Sequence, residues 1–458
     1  MAVDLAITGA TLVLADGVRR AGLAVDGGRV VAVADDGELP ESREAIDATG
    51  LHVLPGVIDT HTHARDPSVD AREDFGSATA AAAAGGITTI LEMPISTPSV
   101  HSAATFERRV EIVQQKAHVD FGLYGGAAAD NIGEIEGLAA AGVVGYKTFR
   151  TPVPAGRERE FIGLCAPDAA DYAAALREVA KTGLIGVVHA EDAQLLAANQ
   201  RDFQAAGDRV PMSHARWRPE GVELASVAQS IELALAAGAR LQLAHCSNPT
   251  AVELAAAARR RGKVTVETCP HYLFLSEADI ERHGPFAKIN PPLRSQASVD
   301  GMWAAIAAGE VDVIGSDHSP FLVEEKAPFA DDMWGALPGA PGLESLLPLM
   351  LTSVADGRLS LPAMTALTSG NAARIFGLRD KGAIRVGGDA DLAVVDLGYE
   401  GTIDTTSWLT RSRATAAVWH GRRVRARVVR TIVRGRTVFR DAELVGARGW
   451  GRLVTPLA

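Results

Sequence analysis

Short apolar runs recur along the middle of this 458-residue chain, and a helical stretch rich in Ala, Leu, Glu and Arg follows each one. They fall at residues 57–58, 87–91, 119–124, 143–146, 185–188, 241–244, 264–266 and 311–314. Strands that alternate with helices form parallel βα units, because a parallel pair needs a crossover too long for a tight turn. About eight such units predict an α/β chain closed into a (β/α)8 barrel of the triosephosphate-isomerase type. Periodicity alone does not separate a strand-length apolar run from a buried helix. The number and spacing of the repeats carry the prediction.

The two ends have a different rhythm. Residues 3–14 and 23–34 alternate as short strands, broken by turns at Asp16-Gly17 and Gly27-Gly28. Residues 391–397 (DLAVVDL) and 428–440 (VVRTIVRGRTVFR) read the same way. One small β domain built from residues 1–53 and 379–458 is therefore expected around a barrel at 54–378.

What ends each run points to chemistry. The first ends in Asp59-Thr60-His61-Thr62-His63, the fourth in Lys147, the fifth in His189, the sixth in His245 and the eighth in Asp317-His318. In this fold the C-terminal ends of the strands share one face, where active sites sit. Alternation along a strand puts His61 and His63 on the same side. A lone histidine at a strand end is commonly a hydrogen-bonded structural residue. A set at successive strand ends is hard to explain as packing, because buried polar groups need dedicated partners. Neutral imidazoles with a carboxylate suit zinc and related divalent ions. An ammonium among them would be repelled. Lys147 makes sense there if carbon dioxide carbamylates it into an anionic ligand bridging two metals.

Composition narrows the partners. The formal net charge is −11, aromatics make up 5% of the chain, and no basic stripe occurs. Nucleic acid is not an expected partner, since a phosphate-binding face needs clustered Lys and Arg. The three cysteines, Cys165, Cys246 and Cys269, include no C-x-x-C pair and fit a reducing compartment without a disulfide framework. The N-terminus lacks a signal-peptide pattern, and the alanine run at 78–85 is too short for a bilayer. A cytoplasmic protein with no membrane partner is expected.

With these residues assembled, the chain resembles the amidohydrolase superfamily, in its cyclic amidohydrolase branch of dihydroorotases, allantoinases and hydantoinases (dihydropyrimidinases). The matching segments include PGVIDTHTH (55–63), AGGITTILEMP (84–94), GVVGYKTF (142–149), VVHAED (187–192), AHCS (244–247), ETCPHYL (267–273), INPPLR (289–294), GSDHSP (315–320) and GNAARIFGL (370–378). They run along nearly the whole chain. The resemblance implies that the β domain is a sandwich and that two divalent metal ions, zinc by preference, lie at the barrel mouth. His61, His63 and Asp317 would hold the more buried ion, His189 and His245 the second, and carbamylated Lys147 would bridge them. It also implies hydrolysis of a ring C–N bond in a small cyclic amide or ureide by a metal-bridged hydroxide, formed at neutral pH because the metals lower the water pKa towards about 7. Asp317 would take that proton and deliver it to the leaving nitrogen. A homodimer or homotetramer is the family expectation.

The ring itself is less constrained. Dihydroorotases pair an arginine in H-x-H-x-R with an asparagine after M-P to grip the substrate carboxylate. Arg65 is present in HTHARDP, but Ile95 fills the second place. Arg65 is thus either half of a carboxylate clamp or a solvated loop residue. Hydantoinases carry a tyrosine shortly after the bridging lysine, where this chain reads KTFRTPVPAGRE. Allantoinases lack that tyrosine and share EMP, the run into the lysine and ETCPHY, and MWGALPGAPGLES (333–345) resembles their late glycine-rich segment. Against this, REDFGS (72–77) departs from their W-E-G-F. An allantoinase-like activity ranks first, with dihydroorotase-like and hydantoinase-like ring opening as alternatives.

Asn290 and the backbone at Pro338 and Gly339 are expected to meet the ring, whose donors and acceptors amides can match. Asn290 also reads as a turn residue ahead of Pro291-Pro292. Residues 150–165 form either a lid over the site or a long solvated connection. Cys246 adjoins His245 but alternates away from the site, so a packing role is expected. A non-catalytic scaffold of the same fold would be expected to lose metal ligands, and a mononuclear deaminase would have no lysine ligand. All six ligand positions are filled here.

Overall fold

The computed structural model describes residues 2–456. Its centre is a ring of eight parallel strands in chain order: Val57–Thr62, Ile87–Glu92, Asp120–Leu123 continued by Gly125–Gly126, Tyr146–Phe149, Ile185–His189, Arg240–Leu243, Val264–Thr268 and Val313–Ile314. The ring closes where Thr62 pairs with His318 and the Ser316 amide donates to Asp59 Oδ1 at 2.7 Å. Eight crossover helices wrap it: Phe75–Ala84, Ala103–Val113, Ile135–Ala141, Ala169–Thr182, Glu220–Ala237, Pro249–Ala258, Gln296–Ala307 and Leu343–Ala355. Several begin on a side chain that accepts a first-turn amide, among them Asp74, Ser102, Asp168, Asn248 and Ser295. The alanine-rich helix Phe75–Ala84 is apolar nearly all round because it is buried nearly all round. Thr431 of the small domain donates to its Ala83 carbonyl at 2.6 Å.

Both chain ends form a sandwich. One sheet orders Arg29–Ala34, Gly22–Asp26, Val3–Thr8 and Ser42–Asp47. The other holds Leu392–Asp396 between Arg427–Val433 and His52–Pro55, with Thr11–Leu14 beyond the latter. Leu5, Ile7, Leu23 and Val25 from the first sheet meet Leu12, Val53, Leu392 and Ile432 from the second in one apolar core. The molecule is an α/β barrel carrying a small β-sandwich built from both termini.

Two local features differ from the sequence reading. The apolar run at 143–146 is mostly an approach to its strand, which starts at Tyr146, so Lys147 is the second residue of the strand rather than a residue past its end. The segment between Gly401–Thr402 and Arg423–Val424 leaves the sandwich. Its Trp408, Val418 and Trp419 pack with Tyr272, Ile280 and Leu293 against the barrel, and Trp419 Nε1 donates to the Pro341 carbonyl at 2.8 Å. Among the described residues no helix is long and apolar enough to cross a membrane.

Candidate active site

The strand ends do converge. His61, His63 and Asp317 bring one ligand atom each to within 4.8 Å of one another. Asp317 Oδ1 lies 3.4 Å from His61 Nε2 and 3.3 Å from His63 Nε2. His189 Nδ1 faces His245 Nε2 at 3.0 Å, and the His61 and His245 rings are 5.2 Å apart. His245 and Asp317 stand at φ 38° and 46°, left-handed values that cost a non-glycine residue energy. Each sits just past its strand, where that turn swings the side chain over the mouth of the ring.

Lys147 is fully buried, and its Nζ has no hydrogen-bond partner among the described residues. The centre of the Phe149 ring is 5.0 Å from Nζ. Burial pushes the amine down to about 8, against the pull of Glu267 and Asp317. A larger neutral fraction makes it a better nucleophile towards carbon dioxide. Burial also lowers His63, His189 and His245, which favours their neutral, ligating form. Burial pushes Asp317 up to about 6, with Lys147 and His61 working the other way.

This set fits a pair of divalent cations. His61 turns Nδ1 to Glu267 and His189 turns Nε2 to Glu191, so the opposite ring nitrogens face the cluster, and imidazole nitrogen with carboxylate oxygen is the donor set zinc prefers. The unpartnered Nζ of Lys147 is the least explicable atom of the group without that role, since a buried donor left unsatisfied is costly.

Residues that sequence reasoning left without a role hold the rings. Glu267, on strand Val264–Thr268, accepts from His61 Nδ1 and Thr60 Oγ1, both at 2.6 Å, from Gln242 Nε2 at 3.1 Å and from the His245 amide at 3.2 Å. Burial works to raise it, yet His61 and its hydrogen bonds keep it below its ordinary value. Glu191 accepts from His189 Nε2 at 2.8 Å and from Arg218 at 2.6 Å. Burial opposes that charge as well, and Arg218 and His189 overcome it, holding Glu191 well below the carboxylate range. Each carboxylate fixes which ring nitrogen keeps its proton and so which one is free to bind a cation. Asp59 accepts from Ser316 and Thr62 and locks the first strand to the eighth. The motifs ETCPHYL and VVHAED contained the two glutamates, but nothing in their spacing ties them to a particular histidine.

The cluster opens into a cavity of about 510 Å³, lined among others by Arg65, Ile95, Asn290, Pro338 and Gly339. Arg65 is 5% exposed, so the solvated-loop alternative does not hold. Its guanidinium donates to the Pro320 carbonyl at 2.8 Å and Ser319 Oγ at 2.7 Å, lies 4.4 Å from the Phe321 ring and leaves Nε without a partner. Burial pushes it down to about 9, with Arg157 and Arg72 adding to that. Asn290 Oδ1 is buried and unpartnered. Residues 150–165 are a wall of the cavity: Pro152, Val153, Pro154 and Phe161 line it, and Phe149 pairs with the returning chain at Leu164 and Cys165. Cys246 packs in the barrel core with its thiol pushed well up by burial, in keeping with a packing role.

Known proteins resemble this chain along nearly its whole length. An allantoinase from Rubrobacter xylanophilus is 40% identical, covering 99% of this chain and 98% of its own length. One from Deinococcus radiodurans is 36% identical over 100% and 99%. The solved L-hydantoinase (dihydropyrimidinase) of Arthrobacter aurescens superposes with a TM-score of 0.94 at 35% identity, covering 99% of this chain and all of that one. The model of the amidohydrolase family matches residues 52–438, and the chain belongs to that family.

Proposed function

We propose that this chain opens a cyclic amide or ureide ring by hydrolysing a C–N bond, with allantoin-like ureides as its first substrate class. The observation that carries the reading is the meeting of four histidines, Asp317 and an unpartnered buried lysine at one barrel mouth. His61, His63 and Asp317 would hold one divalent ion, His189 and His245 another, and carbamylated Lys147 would join them, with zinc the best match to an imidazole-rich set. Such ions supply an activated water and a polarised carbonyl. Asp317 stands beside both His61 and His63 and is the group placed to take up and return a proton. Asn290 Oδ1 can accept from a ring N–H, and the backbone at Pro338 and Gly339 offers further polar contacts. The allantoinase names of the relatives at 40% and 36% identity support the ranking.

A second reading has its own support. Arg65 lines the cavity without a carboxylate partner, which favours a substrate bearing an anionic group, as in dihydroorotate. Ring-opening assays on allantoin, dihydroorotate, hydantoin and dihydrouracil in parallel separate the two. Allantoin turnover is expected to dominate. Turnover of dihydroorotate alone overturns the ranking, and Arg65→Ala should then raise KM sharply, since a guanidinium–carboxylate contact would be lost.

Lys147→Ala is expected to abolish activity and to lower metal content. Added short-chain carboxylates should restore part of both if the lysine acts as an anionic bridge. Intact-mass analysis of the native protein should find one added carbon dioxide. Full activity in Lys147→Ala would end the two-metal reading. A homodimer or homotetramer in the cytoplasm completes the proposal, in line with three free cysteines, and sedimentation velocity tests the assembly.

A further inference from the structure

On the flank of the barrel, away from the metal ligands, a second cavity of about 550 Å³ opens between helices Gln296–Ala307 and Leu343–Ala355. The segment after Trp419 closes it. Four arginines, Arg282, Arg358, Arg422 and Arg423, stand in its lining, with His283 and His420 beside them. Asp356 is the sole carboxylate in that lining, and Arg425 engages it at 3.1 Å. Such a concentration is unexpected in a chain with 45 Lys and Arg against 56 Asp and Glu.

Two of these arginines are left without a carboxylate. Arg282 and Arg358 make no ion pair among the described residues. Arg358 is steadied by the face of Trp303, 5.0 Å from its guanidinium carbon, which leaves its hydrogens free. Arg422 is fixed by the Phe274 carbonyl at 2.7 Å and Asp279 at 2.8 Å, and it is half-buried. Burial and Arg282 push it down, so the arginines repel across the cavity. Arg423 reaches Glu400 at 3.5 Å only on the exposed rim. Arg422 also donates to the Val418 carbonyl at 3.0 Å, so it contributes charge rather than free donors. Arg282 and Arg358, on the open side of the concave space, keep unspent guanidinium donors that match phosphate and carboxylate oxygens.

We infer that this cavity binds a small polyanion carrying two or more phosphate or carboxylate groups, at a site separate from the metal centre. The volume suits a compact metabolite. One link runs towards the catalytic cavity: Trp419, between the lining residues Val418 and His420, hydrogen-bonds the Pro341 carbonyl, two residues along the chain from the cavity-lining Gly339. A bound anion would therefore press on a segment that lines the catalytic cavity.

Titration calorimetry on the metal-loaded full chain tests this with phosphoglycolate and tricarballylate. Saturable binding of either, one per chain, is expected, and which of the two binds tells phosphate from carboxylate recognition. Arg282→Glu and Arg358→Glu should each weaken it roughly tenfold or more, a loss of about 1.4 kcal/mol or greater. Both variants should keep the thermal midpoint, since neither arginine holds a carboxylate. Absence of saturable binding would overturn the inference. Binding that survives both reversals places the ligand at the metals, and a response to heparin alone makes this a macromolecular face. Either result also overturns it.

Discussion

Glu267 shows how much a single buried side chain can organise. Through it the first barrel strand at Thr60 and His61, the sixth at Gln242 and the turn at His245 share one anion. Glu267→Gln keeps the shape but puts a weaker, half-donating head against His61 Nδ1. A loss of about 10–100-fold in metal affinity is expected, the usual effect of removing a carboxylate behind a metal-binding histidine. Competition with a chelator measures it, with far-ultraviolet circular dichroism confirming the fold. Unchanged affinity would mean that the ring is held by packing alone. The four candidate histidines were legible in sequence because each closes an apolar run. Glu267 was not, because a carboxylate within VTVET looks like any strand residue until the neighbouring strand is known.

At the scale of elements, the eight βα units were legible because their repetition survives imprecise boundaries, while the segment between Gly401–Thr402 and Arg423–Val424 was not. Its Trp408 and Trp419 announce burial, but an aromatic side chain does not say which domain buries it, and here the barrel does. The wall at 150–165 was similarly open between lid and solvated loop. Its position depends on a close approach that only coordinates reveal. A Cβ on Gly126 would stand 2.4 Å from the Gly163 carbonyl oxygen, a backbone atom that cannot swing aside. Gly126→Ala, on the third strand, should therefore push this wall outward and loosen its pairing with Phe149 of the fourth. A cost of about 1–3 kcal/mol is expected from overpacking, along with a raised KM, because Phe161 and Pro152–Pro154 on the same segment line the cavity. Denaturant unfolding and steady-state kinetics check the two parts, and an unaltered KM would mean that the wall does not meet substrate.

Across the whole molecule, barrel and sandwich meet through apolar packing and an ionic seam. Lys381 Nζ lies 2.7 Å from Asp120 on the third barrel strand, and 3.2 Å and 2.5 Å from Asp389 and Asp391 at the edge of the sandwich. Those three carboxylates are close enough together to hold a metal ion, but the ammonium already stands among them. Arg434 adds a second cation, bound to Asp120, while its amide donates to Asp391 at 2.7 Å. Removing one partner from such a buried set leaves uncompensated charge, so Lys381→Met should cost about 3–5 kcal/mol near neutral pH. The pH dependence has a definite sign. Burial opposes the charge on Lys381, but Asp391 and Asp389 outweigh it and raise the amine above its ordinary 10.5. Its contribution is therefore complete below 10.5 and is lost as pH rises through the raised folded value, when the native state must give up the proton that holds the seam. Thermal unfolding of wild type and variant from neutral to alkaline pH should give two curves that converge at the alkaline end. Parallel curves, or equal midpoints at pH 7, would mean that apolar packing alone joins the domains.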